Sequence, residues 1–232
     1  MRAFFKKLIG VPSARDCTER LIRTGAVRRA LDLGCGENSV LSEFRPEIRT
    51  AGIDAFAGAI ETAKERKLHD DYLVADILKL SADEIRERFG GEAFDLVAAY
   101  DVIEHLPKEA GFELLKKCEA LTSKYVLVQT PNGFLPQGPE FGNVYQRHLS
   151  GWFAQDFEGR GYDVVGTTGT KLFHGYAGEL KFRFPGALIC DALLGWFLRI
   201  RRNHRHAFNL VAIKDVRGVP ARVGPASEKV RT

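Results

Sequence analysis

The sequence predicts an α/β fold in which a doubly wound, mostly parallel sheet carries helices on both faces. Three observations predict it. From residue 29 to residue 168, short apolar runs alternate with segments of helical periodicity. The first run ends in Gly34-Cys35-Gly36, typical of the tight turn between a buried strand and the next helix. Residues 207–214 alternate well enough to form a last strand.

Each strand is predicted from a short apolar or β-branched run that turn residues bound. The first strand ends at Gly34, the second closes at Asp54, and the fourth ends at Tyr100. A Gly/Pro-rich loop follows the fifth strand, and its length to residue 143 is typical of a functional segment. The predicted strands cover residues 29–33, 50–54, 72–76, 94–100, 125–129, 163–168 and 207–214.

The helices are predicted from apolar residues at helical spacing and from residues that start or stop a helix. Pro12-Ser13 and Pro107 each suit a first turn, while Ser81 can cap the helix that Gly90-Gly91 stops. Pro46 ends the short helix after the glycine turn. The predicted helices cover residues 12–23, 38–44, 56–68, 81–89, 107–121 and 150–160.

The composition is that of one globular domain. Of the 232 residues, 45% are hydrophobic and 28% are charged, which are ordinary values and do not indicate disorder. No apolar run reaches the roughly 18 residues that a membrane-spanning helix needs, and residues 1–10 lack the features of a secretory signal. We expect reduced thiols, a cytoplasmic location and no metal, because the cysteines are far apart: Cys17, Cys35, Cys118 and Cys190.

The net charge of +4 is unevenly distributed along the chain. Residues 199–232 hold nine Lys or Arg and two Asp or Glu, which gives this end a charge of +7 and leaves −3 for residues 1–198. The basic character therefore belongs to the tail. The sequence has no evident basic platform with interleaved aromatic residues, so we expect no specific nucleic-acid partner.

Two aspartates stand at strand ends where a nucleotide-like ligand would lie. Asp54 closes the second strand, from which an acid accepts hydrogen bonds from ribose hydroxyls in a doubly wound sheet. Asp32 lies two residues before Gly34, and a carboxylate there suits a positively charged ligand better than a pyrophosphate. Ser39 stands where a dinucleotide fingerprint has its third glycine, so the match to hydride-transfer enzymes is incomplete.

Four motifs follow one another at regular spacing: Leu31-Asp32-Leu33-Gly34-Cys35-Gly36, Gly52-Ile53-Asp54, Ala75-Asp76-Ile77, and Phe94-Asp95-Leu96-Val97 with Asp101-Val102-Ile103-Glu104-His105-Leu106. In this order they resemble the class I S-adenosylmethionine-dependent methyltransferases. The last segment is most similar to small-molecule enzymes of quinone biosynthesis. The resemblance implies a Rossmann-like sheet of seven strands, mostly parallel with the last strand antiparallel, and S-adenosylmethionine as the cofactor.

The resemblance also implies roles for individual residues. Asp32 would hold the methionine ammonium and Asp54 would bind the ribose hydroxyls, while Tyr100 would lie near the methionine and the sulfonium. Asn38 departs from the family, which often has a third glycine there. Gly34, Cys35 and Gly36 would contact the methionine and ribose through their backbone, Ala55 and Phe56 would border the adenine, and Asp76 and Ile77 would face its amine and a ring nitrogen.

Two histidines are candidates for a base that deprotonates an acceptor hydroxyl. His105 lies in the motif after the fourth strand, whereas His148 is indicated only by its position after the glycine-rich loop. Both follow strands whose carboxyl ends form the ligand-binding edge of such sheets. Either imidazole is equally explained as a packing residue, so the choice of base stays open. Trp152 and Phe153 are candidates for an acceptor wall or for the core.

The resemblance covers only part of the chain, which we divide accordingly. Residues 1–27 are interpreted as an N-terminal helical cap and residues 28–168 as the S-adenosylmethionine-binding methyltransferase core. Residues 169–206 form a helical insertion that serves as a lid, a homodimer contact or a membrane-surface element. Residues 207–214 are the final strand, and residues 215–232 are interpreted as a flexible basic tail.

Residues 187–205 combine a short apolar helix with a basic end. Such a segment can lie on an anionic membrane, here the inner face of the cell membrane, with roughly 1 kcal/mol contributed by each cation near the lipid. Asp191 interrupts the apolar run, which favours a lid or a dimer helix instead. The basic residues that follow the helix are Arg199, Arg201, Arg202 and Arg205.

The sequence therefore predicts an enzyme that transfers a methyl group to a small-molecule acceptor, at an oxygen of a lipid-, quinone- or glycan-related metabolite. Positioning for in-line transfer would supply much of the rate. An RNA or protein methyltransferase is the alternative enzyme, and a non-catalytic scaffold that binds S-adenosylmethionine is the alternative from another class. Against nucleic acid, the fourth strand ends in Ala99-Tyr100-Asp101-Val102 and lacks the Pro-Pro signature of base-amine methylation.

Overall fold

The computed structural model describes residues 12–24, 27–139, 143–174, 181, 186–198, 200 and 203–217. These residues form one mixed sheet with helices on both faces, in the strand order β3-β2-β1-β4-β5-β7-β6. The strands are β1 (Arg29–Leu33), β2 (Arg49–Asp54), β3 (Asp71–Val74), β4 (Phe94–Tyr100), β5 (Thr122–Pro131), β6 (Asp163–Thr170) and β7 (Ala207–Asp215).

The predicted fold is confirmed. Strands β1 to β5 pair in parallel, whereas β7 runs antiparallel to both β5 and β6. The register pairs Leu33 with Ile53, Asp54 with Val74, and Tyr100 with Gln129. The carboxyl ends of β1 to β5 therefore meet at one edge, which is where a doubly wound sheet binds its ligands.

The helices are α1 (Ala14–Arg23), α2 (Ala57–Glu65), α3 (Ala82–Arg88), α4 (Lys108–Leu121), α5 (Ala154–Glu158) and α6 (Ala187–Phe197). Local chemistry explains where they begin. Ser13 and Ser81 each cap a helix, and both form a capping box with the acidic residue three positions on. None of the helices in the described part of the chain is both long and apolar enough to cross a membrane.

Two predicted helices are wrong in extent. Residues 38–44 form a short 3₁₀ turn, Val40–Phe44, since the chain turns again at Arg45 and Pro46 and leaves no room for α-helical turns. The helix predicted over 150–160 is only Ala154–Glu158. Residues 150–153 are not helical, because their backbone groups bond to other segments. The Ser150 amide donates to the Glu104 carbonyl, and the Trp152 carbonyl accepts from the Gly133 amide.

The core lies on both faces of the central strands, whose apolar residues are fully buried. On one face Trp152 is completely buried between Phe112 and Phe157, with ring centroids 5.1 and 5.3 Å away. Its indole N–H donates to the Ser150 hydroxyl at 2.9 Å. This packing fixes the chain that follows the glycine-rich loop against α4.

Gly111 on α4 is the point of closest approach to Trp152. A Cβ there would lie 2.3 Å from Trp152 Cζ2, so Gly111→Ala must displace the indole despite the better helix propensity of alanine. We expect the free energy of unfolding to fall by about 1–3 kcal/mol in urea denaturation. Gly138→Ala is the matched control: its Cβ meets no described atom within 4 Å, and the change should stay within about 0.5 kcal/mol. Equal stabilities for the two variants would contradict this packing.

Candidate active site

The glycine turn after β1 is tightly fixed on one side and open on the other. Gly34 has a φ of +69°, and a Cβ there would lie 2.6 Å from Val102 Cγ2, so no side chain fits. The amides of Gly34 and Cys35 both donate to the Ile53 carbonyl, at 2.7 and 3.0 Å. Gly36 has a φ of +56°, and its Cβ position is free of described atoms within 4 Å. A ligand can therefore approach the backbone at Gly36.

Asp32 is buried at the end of β1 with half of its carboxylate unsatisfied. Its exposed fraction is 1%, and Oδ2 accepts a hydrogen bond from the Ser39 hydroxyl at 2.5 Å. Among the described residues, Oδ1 has no hydrogen-bond partner. Burial raises the pKa of Asp32 to about 7, and the negative charge of Asp54 adds to the rise while the Ser39 bond opposes it. A cationic ligand would satisfy this carboxylate.

His69 lies directly behind Asp32 but does not neutralise it. Its Nε2 is 3.7 Å from Asp32 Oδ2, and neither ring nitrogen has a hydrogen-bond partner within the described chain. Burial and then the charge of Arg45 lower the pKa of His69 to about 4, so the ring is neutral near pH 7. Gly52 makes room for it, since a Cβ there would lie 2.6 Å from His69 Cδ2. Sequence reasoning missed His69, because it belongs to the β2–β3 connection and to no motif.

Asp54 braces the glycine turn from the end of β2. Its Oδ2 accepts from the Gly36 amide at 2.9 Å and its Oδ1 accepts from the Phe56 amide at 2.8 Å. Each oxygen keeps a second lone pair for a ligand hydroxyl. The sequence predicted Asp54 as a ribose ligand, and the structure adds that this carboxylate shapes the turn itself.

The residues expected around the adenine follow β2 and β3 at the same edge. Ala55 and Phe56 are half-buried at the start of α2, and Ile77 is buried. Asp76 is half-buried, and its Oδ1 accepts from the Leu78 amide at 3.0 Å. Their contact with an adenine stays a prediction.

Tyr100 fastens α1 to the end of β4. Thr18 donates its hydroxyl proton to the Ala14 carbonyl at 2.9 Å, so the Tyr100 hydroxyl donates to Thr18 Oγ1 across 2.7 Å. Burial, with the charge of Asp32, raises the pKa of Tyr100 above its usual value. Proximity of Tyr100 to the methionine stays a prediction, whereas its hydroxyl has this structural role that the sequence did not indicate.

Two imidazoles stand edge to face beyond β4. The ring centroids of His105 and His148 are 4.7 Å apart. His105 Nδ1 is 3.2 Å from the Arg147 carbonyl oxygen, and His148 Nδ1 is 2.6 Å from that of Leu135. Because a carbonyl only accepts, each neutral ring carries its proton on Nδ1 and its basic lone pair on Nε2. Burial, and then the neighbouring His148, lower the pKa of His105.

Glu104 is the buried member of this group. Its exposed fraction is 2%; Oε2 accepts from the Thr130 hydroxyl at 2.9 Å, and Oε1 lacks a hydrogen-bond partner among the described residues. Burial, and then the charge of Asp101, raise the pKa of Glu104 well above its usual value. Ligand atoms of Glu104, His105 and His148 all lie within 4.8 Å of one another, a set that could hold a divalent cation. The sequence predicted no metal and gave no reason to join these three.

Asp101 is a strained residue at the mouth of the site. It is not glycine but has a φ of +53°, and Gln129 Nε2 donates to its Oδ2 at 2.6 Å. Left-handed backbone at a non-glycine residue is costly and often occurs at functional sites. The motif contained Asp101, but only the structure reveals its backbone and its pairing with Gln129.

Trp152 and Phe153 have different surroundings. Trp152 belongs to the core, while the Phe153 side chain is 45% exposed and packs near Gly133. Phe134 is 58% exposed and lies against Gly151, where a Cβ would meet the Phe134 backbone at 2.6 Å. Phe134 and Phe153 thus present exposed rings on the chain between β5 and α5, and Phe134 directly precedes Leu135, whose carbonyl bonds His148.

Residues 31–128 match the family model of a methyltransferase domain. In sequence, this segment is therefore similar to methyltransferase domains. The chain is 38% identical over 96 residues to a ubiquinone biosynthesis O-methyltransferase of Rhodopseudomonas palustris (strain TIE-1), covering 40% of this chain and 35% of that protein. It is 28% identical over 159 residues to the mitochondrial enzyme of that name from Candida albicans, covering 66% and 43%. The chain therefore spans less than half the length of these relatives.

Solved structures share the fold of the methyltransferase domain. One is an S-adenosylmethionine-dependent methyltransferase from Archaeoglobus fulgidus, with a TM-score of 0.53, 20% identity, and coverage of 88% of this chain and 94% of the other. Another is the plantazolicin methyltransferase BpumL in complex with SAH, with a TM-score of 0.52, 18% identity, and coverage of 90% and 83%. At these identities the likeness concerns the fold.

The residues present fit S-adenosylmethionine. Asp32 offers an unsatisfied buried carboxylate oxygen for an ammonium group, and Gly36 leaves its backbone open to a ligand. Asp54 keeps acceptor capacity for ribose hydroxyls beside that turn. The donors and acceptors therefore match a ligand that carries a cation at one end and a ribose next to it.

Asp32→Asn removes the charge that the cofactor ammonium would meet. We expect the Kd for S-adenosylhomocysteine to rise by about tenfold to a hundredfold in calorimetry, because hydrogen bonds to charged groups contribute roughly 1.5–3 kcal/mol. Asp95→Asn is the matched control at the opposite end of β4, where Asp95 accepts from the Arg28 and Arg29 amides. It should lower stability and leave the Kd unchanged. A Kd unaffected by Asp32→Asn would contradict the assignment.

The raised pKa of Asp32 also predicts how stability depends on pH. The folded, ligand-free chain binds this proton more tightly than the unfolded chain does, so the free energy of unfolding decreases as pH rises from the usual aspartate pKa towards about 7. Asp32→Asn removes that contribution. Urea denaturation across this pH range should therefore show a weaker decline for the variant. Identical profiles would mean that the buried carboxylate does not titrate in this way.

Proposed function

We propose that this chain transfers the methyl group of S-adenosylmethionine to an oxygen of a small aromatic or otherwise apolar acceptor. The observation that carries the proposal is the edge-to-face pairing of two imidazoles, His105 and His148, at the sheet edge that bears Asp32. Relatives named as O-methyltransferases support the choice of oxygen, with 38% identity over 96 residues.

The part of the site around Asp32 and Asp54 binds and orients the cofactor. S-adenosylmethionine, when bound, supplies an electrophilic methyl group on its sulfonium. Asp32 would hold the ammonium in a buried position, where a charge pair is screened little by solvent. Asp54 would accept from the ribose hydroxyls while it keeps the Gly36 amide in place. Fixing both ends of the cofactor limits the directions from which an acceptor can attack, which favours in-line transfer.

We assign the base to His105 and the positioning role to His148. His105 is half-exposed at the mouth, its pKa is lowered, and its Nδ1 proton is held by the Arg147 carbonyl. Nε2 is therefore the nitrogen that takes the hydroxyl proton of the acceptor. His148 is buried, and its bond to the Leu135 carbonyl ties the glycine-rich loop to the His105 ring.

The exposed rings of Phe134 and Phe153 support an aromatic acceptor. Large apolar side chains in the open are informative when they lie together at a site, and aromatic rings stack with planar ligands. A phenol or catechol would present both a ring for these side chains and a hydroxyl for His105. A quinone-related metabolite has this chemistry, whereas a glycan does not.

One experiment with a radiolabelled methyl group distinguishes this function from an RNA methyltransferase, a protein methyltransferase and a non-catalytic scaffold. The chain is incubated with radiolabelled S-adenosylmethionine and cell extract, and the label is partitioned among lipid-soluble small molecules, RNA, protein and polar metabolites. We expect label in organic-soluble small molecules, and a panel of simple phenols and catechols should compete with it. Label confined to RNA or protein would overturn the proposal. Binding of the cofactor without any transfer would instead favour a scaffold.

His105→Asn tests the base. Asparagine keeps a polar side chain at the mouth but cannot take a proton, so kcat should fall by roughly 10²–10⁴-fold. The Kd for S-adenosylhomocysteine should not change, because His105 lies on the acceptor side. The wild-type rate should decline only when pH falls below the ordinary histidine range, since the pKa of His105 is lowered.

Two outcomes would contradict this assignment. An unchanged kcat in His105→Asn would exclude His105 as the base. Loss of wild-type activity on chelation, with recovery on adding a divalent cation, would mean that Glu104, His105 and His148 act as metal ligands instead.

A further inference from the structure

Helix α6 presents an apolar stripe to solvent. Ile189, Leu193, Trp196 and Phe197 are 45%, 53%, 66% and 74% exposed. At 3.6 residues per turn, their positions fall within about a third of the helix circumference. An apolar surface of this size on one helix face is typical of an interaction site.

The opposite face of α6 is firmly anchored to the sheet. Asp191 is only 2% exposed, and its Oδ1 accepts from both the amide and the hydroxyl of Thr170 at 2.8 Å. His174 Nε2 donates to Oδ2 at 3.0 Å. The sequence favoured a lid or dimer helix because Asp191 interrupts the apolar run. In the structure Asp191 points inward, so the outer stripe is uninterrupted.

Two basic residues lie near the end of β6, where Thr170 anchors Asp191 of α6. Lys171 directly follows Thr170, and with Arg205 it lines a cavity of about 410 Å³ between the ends of β5 and β6. Within the described part of the chain, neither charged group forms an ion pair or a side-chain hydrogen bond, and both residues are exposed. The sequence from 192 to 214 contains five Lys or Arg and no Asp or Glu.

We propose that α6 docks this chain on an anionic phospholipid surface, with its axis in the plane of the membrane. Trp196 and Phe197 enter the interface, and Lys171 and Arg205 face the headgroup phosphates. With 11 residues the helix is far too short to span a bilayer, which agrees with a surface position. A second copy of the chain fits this face less well, because a two-fold contact would bring two basic clusters together.

The proposal is tested with the full chain and sedimented vesicles. Wild-type protein should sediment with phosphatidylglycerol-containing vesicles and stay in solution with pure phosphatidylcholine. Trp196 offers a direct reporter, since Trp152 is fully buried: emission should shift to the blue and iodide quenching should fall on binding. Equal partition onto both kinds of vesicle, or no partition onto either, would overturn the proposal.

Two pairs of variants separate the apolar and ionic contributions. Trp196→Ser should reduce partition about tenfold or more, whereas Val74→Ser, which changes a 48% exposed residue on edge strand β3, should not. Arg205→Glu should weaken binding about tenfold, and Arg88→Glu on α3 should have little effect. All four positions are on the surface, and circular dichroism checks that each variant is folded. Equal effects within a pair would overturn the proposal.

Sedimentation velocity without lipid tests whether the α6 face binds a second copy of the chain. A concentration-dependent dimer that Trp196→Ser dissociates would assign the α6 face to self-association and overturn the membrane proposal. A monomer whose binding to vesicles requires Trp196 and Arg205 supports the membrane proposal. Neither result depends on methyl transfer, so this proposal and the proposed function fail independently.

Discussion

The site depends on one electrostatic constraint, the burial of the Asp32 carboxylate at the end of β1. Folding places it out of water with one oxygen bonded to Ser39 and the other without a partner among the described residues, an arrangement that costs free energy in the ligand-free chain. The neutral His69 behind it offers no compensating charge. A ligand ammonium would, so in the proposed role of Asp32 the binding of the cofactor also relieves this cost. The glycine turn, held by Ile53 and Asp54, keeps the entrance to the carboxylate open.

The proposed acceptor site around His105 and His148 depends instead on hydrogen bonds. These bonds hold the glycine-rich loop after β5 against the edge of the sheet. The Glu104 carbonyl accepts from the Leu149 and Ser150 amides, and the His148 ring bonds the Leu135 carbonyl. These bonds bring His148 against His105, although the loop separates them in sequence. The proposed cofactor site therefore depends on parallel strands, whereas the proposed acceptor site depends on loop contacts.

The sequence was sufficient for the sheet and for the glycine turn after β1, because apolar strands and glycine turns are local signals. It predicted Asp32 and Asp54 at the strand ends where they lie. It was wrong about residues 38–44 and 150–160, since helical spacing does not reveal that Ser150 and Trp152 are held by tertiary bonds. It gave no reason to single out His69, and it included Glu104 only as a member of the fourth motif, because their burial beside Asp32 and Thr130 arises from the packing of distant segments. The inward orientation of the Asp191 side chain could not be predicted for the same reason.

The central claim is that Asp32 is the anchor of the cofactor, and proton exchange on binding tests it most directly. Calorimetric titration with S-adenosylhomocysteine near pH 7, in two buffers of different ionisation heat, measures how many protons leave the complex. A carboxylate with a pKa of about 7 must lose its remaining proton when it meets an ammonium, so we predict net proton release that Asp32→Asn abolishes. Folded protein that gives no binding heat, or that binds without releasing protons, would contradict the account.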